Sequence, residues 1–165
     1  MSSSRAFLLA PLSHLLIAEP TAETRAVFEP EIPELAQLYI DAYRNSVDDE
    51  GLSVADARAR LSGLAAGGAG EPLRDAWLAA YDGCETPVAA ILCTEWRGTP
   101  FIAELMTTPT YRNRGLATSL IRQAASVVES AGGSMLGIMV SRENPALSLY
   151  GELGFSELVT PTGVQ

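Results

Sequence analysis

The sequence predicts one mixed α/β domain, with a central sheet that joins an antiparallel meander to a parallel strand pair and is flanked by helices. Three strand-like segments separated by short turns fill residues 76–109, as in an antiparallel meander. A strand, a helix and a second strand then follow over residues 101–140, and such units place their strands in parallel. With 165 residues, 47% of them hydrophobic, the chain is long enough to bury one core.

The N-terminal third is expected to hold extended segments followed by two helices. The apolar stretch over residues 6–18 is broken by Pro11 and His14, which favours a core strand or strand pair over a signal peptide. Pro33 lies near the start of the first helical pattern, "IPELAQLYIDAY". Ser53 is the expected N-cap of the second, "SVADARARLSGLAAG".

The remaining elements follow from apolar runs and their stop signals. The meander comprises "AWLAAYDG", "TPVAAILCTEWRGTP" and "FIAELMTTP", the last ended by Pro109. Apolar residues at helical spacing over residues 116–128 predict the next helix, which the glycines at 132–133 end. "SMLGIMV" is typical of a buried strand. In "NPALSLYGELGF", Asn144 is the expected cap of a helix that ends before Gly154.

The charge distribution excludes several classes of function. The net charge of −9 lies in residues 1–111, whereas residues 112–165 are neutral. An acidic chain is not expected to bind nucleic acid, and no run approaches the ~20 apolar residues of a membrane span. All 11 basic residues are arginines, which excludes chemistry that needs a lysine. Cys84 and Cys93 could form one bridge, but two cysteines without a disulfide framework favour free thiols and a cytoplasmic location.

The stretch "YRNRGLATSL", residues 111–120, places positive charge at the start of a helix. The free N–H groups and partial positive charge of a helix N-terminus suit an anion, best a phosphate. Gly115 lets the backbone approach a ligand, and Arg112 and Arg114 can add charge-assisted contacts. Neither a P-loop nor a dinucleotide fingerprint is present. Taken alone, the stretch is equally consistent with an amphipathic helix that has arginines in its solvated first turn.

A second motif follows one helix and one strand later. The pattern "R-x-x-G-x-A" and then "N-x-A-x-x-L-Y-x-x-x-G-F", in this order and at this spacing, resembles the GNAT superfamily of acetyl-CoA-dependent N-acetyltransferases. The resemblance is tight over residues 101–155 and extends loosely back to about residue 25. It implies that residues 25–165 form a single GNAT acyltransferase domain, and that residues 1–24 are an N-terminal extension packing on it.

The resemblance implies acetyl-CoA as the cofactor and assigns residues to it. Backbone N–H groups of the glycine loop would bind the pyrophosphate of coenzyme A. The preceding strand would splay from the next one and pair with the pantetheine amides, and Asn144 would lie beside the pantetheine arm. The implied cofactor-binding residues are Met106, Thr107, Thr108, Arg112, Asn113, Arg114, Gly115, Leu116, Ala117, Thr118 and Asn144. No metal site is expected.

Two residues are predicted to be catalytic. The resemblance implies that Tyr150 protonates the departing thiolate, and a phenol with a pKa of about 10 is protonated at neutral pH; the alternative is an aromatic side chain packed in the core. Glu104 is a carboxylate in an otherwise apolar strand, which indicates a base or a substrate contact. It could instead pair with an arginine, and a water relay could replace a dedicated base. Alternation places Glu104 on the sheet face of Met106 and Ile102, unless a bulge intervenes.

The expected substrate is a primary amine of a small molecule or of a peptide or protein N-terminus. Asp48, Asp49 and Glu50 follow the first helix and would attract a cationic amine, although a solvated acidic loop has the same composition. Two other functions stay open: a non-catalytic module that binds acyl-CoA, and transfer of a longer acyl group. A homodimer is suggested by analogy alone.

Overall fold

The structure, a computed structural model, describes residues 4–158. The expected domain limits at residues 1–3 and 159–165 lie outside the described residues. The helices are α1 (Leu12–Leu15), α2 (Leu35–Tyr43), α3 (Val54–Ala65), α4 (Leu116–Ser130) and α5 (Leu147–Leu153). The strands are β1 (Arg5–Pro11), β2 (Arg25–Ala26), β3 (Glu71–Pro72), β4 (Leu78–Tyr81), β5 (Pro87–Trp96), β6 (Thr99–Thr107), β7 (Met135–Ser141) and β8 (Ser156–Glu157).

The strands form one mixed sheet in the order β2-β4-β5-β6-β7-β1-β8, with β3 paired to β5. Strands β4, β5 and β6 are the antiparallel meander, and β6 and β7 are the parallel pair on either side of α4. The mixed α/β fold predicted from the sequence is therefore confirmed.

The N-terminal strand β1 lies inside the sheet. It pairs antiparallel with β7 along its whole length, from Arg5 opposite Ser141 to Pro11 opposite Met135, and its other edge pairs with β8. Ala6, Leu8 and Ala10 of β1 are buried in the core. Part of the segment predicted to be an extension thus supplies an internal strand, because its alternate residues complete the apolar face that α4 and α5 cover.

The segment between β1 and β2 is tied to α4 by polar contacts. The buried hydroxyl of Ser119 accepts hydrogen bonds from the N–H groups of Thr21 and Ala22, each at 3.0 Å. One turn further along α4, the side-chain amide of Gln123 donates to the Ala22 carbonyl at 3.2 Å. These contacts hold the segment against the first half of α4.

The helix starts follow local rules. The Ser53 hydroxyl accepts the N–H of Asp56 at 3.1 Å, and the Asp56 carboxylate accepts the N–H of Ser53 at 3.0 Å, a capping box that confirms the predicted start of α3. A 3₁₀ turn over Glu29–Glu34 contains Pro33 and leads into α2. No helix within residues 4–158 is long and apolar enough to cross a membrane.

Candidate active site

Strands β6 and β7 pair at two positions and then separate. Phe101 lies opposite Gly137 and Ile102 opposite Ile138, and within the described chain no later pair joins the two strands, although both continue. A cleft therefore opens at their carboxyl ends.

The backbone of β6 faces this cleft at alternate residues. The N–H of Thr108 donates to the carbonyl of Val88 at 2.9 Å, and because backbone direction alternates along a strand, the groups of Met106 also face β5. Those of Leu105 and Thr107 face the cleft. Of the three residues predicted to pair with a ligand here, only Thr107 has its backbone free to do so.

The opposite wall is the backbone of β7. The N–H of Arg142 donates to the Ser4 carbonyl at 3.0 Å on the β1 side, so alternation directs the groups of Met139 into the cleft. The two walls thus present unpaired backbone donors and acceptors to each other, which suits an extended chain that carries amides.

A β-bulge directs Glu104 into the cleft. The pairing of β5 with β6 skips Ala103, and the residues on either side consequently pack on different sheet faces. Ile102 packs on the sheet face that α4 covers, whereas Met106 packs on the opposite face, against α2 and α3. Glu104 shares the face of Met106 as alternation predicted, but not that of Ile102, because the extra residue reverses the alternation.

The carboxylate of Glu104 is held by a tyrosine of α2. The Tyr43 hydroxyl donates to Oε2 of Glu104 at 2.6 Å. Burial raises the pKa of Glu104 to about 7, while the Tyr43 hydrogen bond acts to lower this pKa. A carboxyl group whose pKa lies near neutral pH can both accept and release a proton, as a general base requires.

We expect carboxyl ¹³C NMR to show Glu104 titrating with a midpoint near pH 7. Tyr43→Phe should move this midpoint upward, because the variant removes a hydrogen bond that stabilises the ionised form. Tyr81→Phe is the matched control, since Tyr81 donates a similar 2.7 Å bond to Glu31 outside the cleft. A Glu104 midpoint near the ordinary value of about 4.3 would contradict the assignment.

A series of side-chain contacts links Tyr43 to a nearby ion pair. Tyr39 packs edge-on against Tyr43, with ring centroids 4.7 Å apart. Arg60 donates to the Tyr39 hydroxyl at 2.6 Å and forms a two-point ion pair with Glu50, at 2.9 and 2.7 Å. The carboxylate of Glu50 is therefore already paired with a cation of the same chain, at the solvent-exposed side of the cleft.

Tyr150 enters the cleft from α5. Its ring is 6% exposed and packs edge-on against Phe155, which follows the helix. The N–H of Phe155 donates to the Tyr150 carbonyl and that of Gly154 to Gly151, a Schellman turn that confirms the predicted end of this helix. Burial, and then the negative charge of Asp48, raise the pKa of Tyr150 to about 12. The phenol is therefore protonated at neutral pH, and its side chain lines the cleft.

Asp48 connects the loop after α2 to the far side of the cleft. Its carboxylate accepts a 2.6 Å hydrogen bond from the Ser141 hydroxyl and a 3.3 Å one from the Asn144 amide, and Arg5 lies 3.9 Å away. The Asn144 side chain also accepts the N–H of Ala146 at 2.8 Å and so caps the turn before α5. Asp48 is therefore part of the site rather than of a free acidic loop.

Asp49 lies differently from its neighbours. Its carboxylate accepts the N–H groups of Asn45 and Gly51, which lowers its pKa and fixes the loop. Asp48 and Glu50 line the cleft and Asp49 does not, so the three acids predicted to act together have separate roles.

The cleft holds a cavity of about 130 Å³ that brings the two predicted catalytic residues together. Glu104 and Tyr150 both line it, as do Asn144 and Asp48. None of the predicted residues Met106, Thr107 and Thr108 lines it, and the glycine loop lies outside it.

The loop before α4 has a run of free backbone donors. Asn113 and Gly115 both adopt left-handed conformations, with φ of 61° and 77°, so the chain turns sharply into the helix. The N–H groups of residues 113–118 donate to no described residue. Because this loop follows the carboxyl end of β6, its free N–H groups lie at the end where the strands diverge, an arrangement that suits an anion.

The two arginines of the loop lie differently from expectation. Arg112 donates to the Ala42 carbonyl at 2.7 Å, near the end of α2, and its own N–H bonds to Pro109. The free N–H groups therefore begin one residue later than predicted. Arg114 lies over the ring of Tyr111, 4.5 Å from its centroid, and is exposed.

Sequence reasoning missed Tyr43, Arg60 and Ser141. Tyr43 and Tyr39 are four residues apart at the end of an amphipathic helix, and this spacing on one helix face was the available signal. Nothing in the sequence around Arg60 or Ser141 indicated a role in the site, because the residues that they contact lie elsewhere in the chain.

A mixed sheet whose parallel pair splays beside a helix N-terminus with free N–H groups forms a cleft that leads to donors suited to an anion. The sequence profile of the GNAT acetyltransferase family matches residues 32–155. The chain belongs to this family. Comparison with curated proteins finds no match.

Solved structures share the fold. A GCN5-related N-acetyltransferase from Sphaerobacter thermophilus aligns with a TM-score of 0.68 and 16% identity over 93% of this chain, which spans 48% of that protein. An aminoglycoside 6′-N-acetyltransferase from Acinetobacter haemolyticus aligns with a TM-score of 0.59 and 19% identity, over 87% of this chain and 97% of that one. An acetyltransferase from Trypanosoma brucei aligns with a TM-score of 0.56 and 18% identity, over 87% of this chain and 98% of that one.

Proposed function

We propose that the protein is an N-acetyltransferase that moves an acetyl group from acetyl-CoA directly to a primary amine. The observation that carries the proposal is the shared cleft of Glu104 and Tyr150, a carboxyl group with a pKa of about 7 and a phenol with a pKa of about 12. Such a pair can accept a proton and donate one at the same pH. The family membership supports acetyl transfer.

The residues present fit acetyl-CoA. The free N–H groups of residues 113–118 would hold the pyrophosphate, and the cleft-facing backbone of Thr107, Leu105 and Met139 would pair with the amides of the pantetheine arm. Asn144 would flank the arm. Bound acetyl-CoA supplies the acetyl group as a thioester and leaves as the free thiol.

In this proposal, Glu104 accepts the proton that the amine nitrogen loses as its bond to the acetyl carbon forms. The N–H of Leu105 or Thr107 stabilises charge on the acetyl oxygen. The Tyr150 hydroxyl donates its proton to the departing sulfur as the carbon–sulfur bond breaks, and solvent restores both residues. Asp48 attracts the cationic form of the amine, since it lines the same cavity, and this form releases one proton to solvent before the neutral nitrogen attacks.

Direct transfer is supported by the state of the cysteines. Both are free thiols, and Cys93 is buried, which raises its thiol pKa to about 12. An acyl-cysteine step needs an accessible thiolate in the cleft, so Cys93 is unsuited to it, and Cys84 is exposed but does not line the cleft. Free thiols also fit the proposed cytoplasmic location.

The proposal is tested by release of free thiol from acetyl-CoA against a panel of primary amines. We expect release that depends on the amine, and kcat/KM that rises with pH through a midpoint near 7 as Glu104 ionises. Because the pKa of Tyr150 is about 12, no fall should occur below about pH 10. If coenzyme A does not bind at millimolar concentration, the proposal fails.

A further inference from the structure

One half of one sheet face carries no helix. The buried apolar residues form two clusters, one on each face of the sheet. The cluster under α2 and α3 includes residues of β4, β5 and β6 but none of β1 or β7. On that face, the β1–β7 half of the sheet is therefore uncovered within the described chain.

The uncovered half is apolar, and we call it the aromatic wall. Its six members are partly exposed and belong to neither core cluster. They come from four strands: Phe7 and Leu9 from β1, Trp96 from β5, Phe101 from β6, and Met135 and Met139 from β7.

The three rings of the wall are in mutual contact. Phe7 and Phe101 stack with centroids 6.0 Å apart and an interplanar angle of 12°, and Trp96 lies 5.5 Å from Phe101 and 5.9 Å from Phe7. Gly137 makes this arrangement fit, because a Cβ there would lie 2.9 Å from the Phe7 ring. The rings therefore lie across the sheet as one broad apolar surface.

The wall continues into the cleft. Met139 lines the cavity and pairs with Phe7 in the β1–β7 register. Arg5 and Asp48 also line the cavity, 3.9 Å apart. Alternation along β1 places Arg5 on the same face as Phe7, so a second copy seated on this part of the wall would have to remove the Arg5 charge from water, which is costly.

We infer that the aromatic wall binds the apolar or aromatic body of the acceptor amine while its amino group lies beside Glu104. The inference rests on the proposed function and names its substrate class, small amines with an aromatic body. Two features on one surface carry it: cleft carboxylates for the cationic end, and a contiguous apolar surface for the rest of the molecule.

The test compares propylamine with 2-phenylethylamine and 4-phenylbutylamine in the thiol-release assay. Whichever of the two phenylalkylamines is turned over faster should have a kcat/KM roughly 10- to 100-fold above that of propylamine, because it buries its ring on the wall. Phe7→Ala and Phe101→Ala should bring this ratio to within about threefold of unity. Phe28→Ala is the control, since Phe28 is 63% exposed and outside the wall, and it should leave the ratio unchanged.

Binding is measured separately from turnover by tryptophan fluorescence. Trp77 is fully buried and donates to the Cys93 carbonyl, so Trp96 is the tryptophan that an amine on the wall would affect. A saturable change with phenylalkylamines and none with propylamine supports the inference, even if a wall variant fails to fold. The same change without thiol release would support the wall and refute the proposed acetyl transfer.

Two results would overturn the inference. Equal kcat/KM for all three amines, with no fluorescence response, would leave acetyl transfer standing and remove the wall from substrate binding. Sedimentation that shows a wild-type dimer and monomeric Phe7→Ala and Phe101→Ala variants, with an unchanged ratio, would assign the wall to a second copy of the chain.

Discussion

Tyr150→Phe should lower kcat roughly 100-fold while leaving the Kd for coenzyme A within about twofold. The hydroxyl is the one group that the variant removes, and the ring, 6% exposed and packed on Phe155, stays in place. Without a proton donor, sulfur must depart as the thiolate, which is costly in a partly apolar cleft. Steady-state thiol release and calorimetric titration with coenzyme A measure the two quantities.

The same variant separates the transferase from a non-catalytic acyl-CoA module. A wild-type protein that binds coenzyme A but releases no thiol with any amine would be such a module, and Tyr150→Phe would then have nothing to lose. An active protein whose kcat is unaffected would leave Tyr150 as a packed aromatic residue. Tyr81→Phe, remote from the cleft, should alter neither kcat nor affinity.

Ala117→Asp should weaken coenzyme A binding about 100-fold without unfolding the protein. Ala117 is in the first turn of α4, among the free N–H groups, and a carboxylate there would repel the pyrophosphate by a few kcal/mol. An acidic residue in a helix's first turn is otherwise favourable, so the melting temperature should not fall.

Ala55→Asp is the matched control, because Ala55 occupies the corresponding first-turn position of α3 and is exposed. It adds the same charge to the same helix position away from the cleft and should leave affinity unchanged. Equal coenzyme A affinity in both variants would show that the α4 loop does not bind the pyrophosphate.

Much of the fold could be predicted because its signals are local. The Ser53 capping box, the glycine-terminated helix before Phe155 and the short turns of the meander each depend on residues within a few positions. The order of strand, helix and strand around α4 then determines a parallel pair. The position of β1 between β7 and β8 could not be predicted this way, because strand pairing is a long-range choice.

The candidate site divides in the same way. Glu104 and Tyr150 were identifiable as a carboxylate in an apolar strand and as part of a motif. The pKa of Glu104 depends on burial and on Tyr43, which is distant in sequence. The bulge at Ala103 likewise changes which residues lie on the same sheet face as Glu104.

By itself, the sequence determined the elements and the mixed sheet, and it predicted an anion site in the loop before α4 and two candidate catalytic residues. The tertiary structure alone decided which backbone groups face the cleft, that Arg112 bonds to α2, that Asp48 belongs to the site, and that an aromatic wall adjoins it. The physical reason is that local signals come from capping, turns and periodicity over a few residues. Contacts between distant segments depend instead on strand register, and a single inserted residue moves the side chains that follow it to the opposite sheet face.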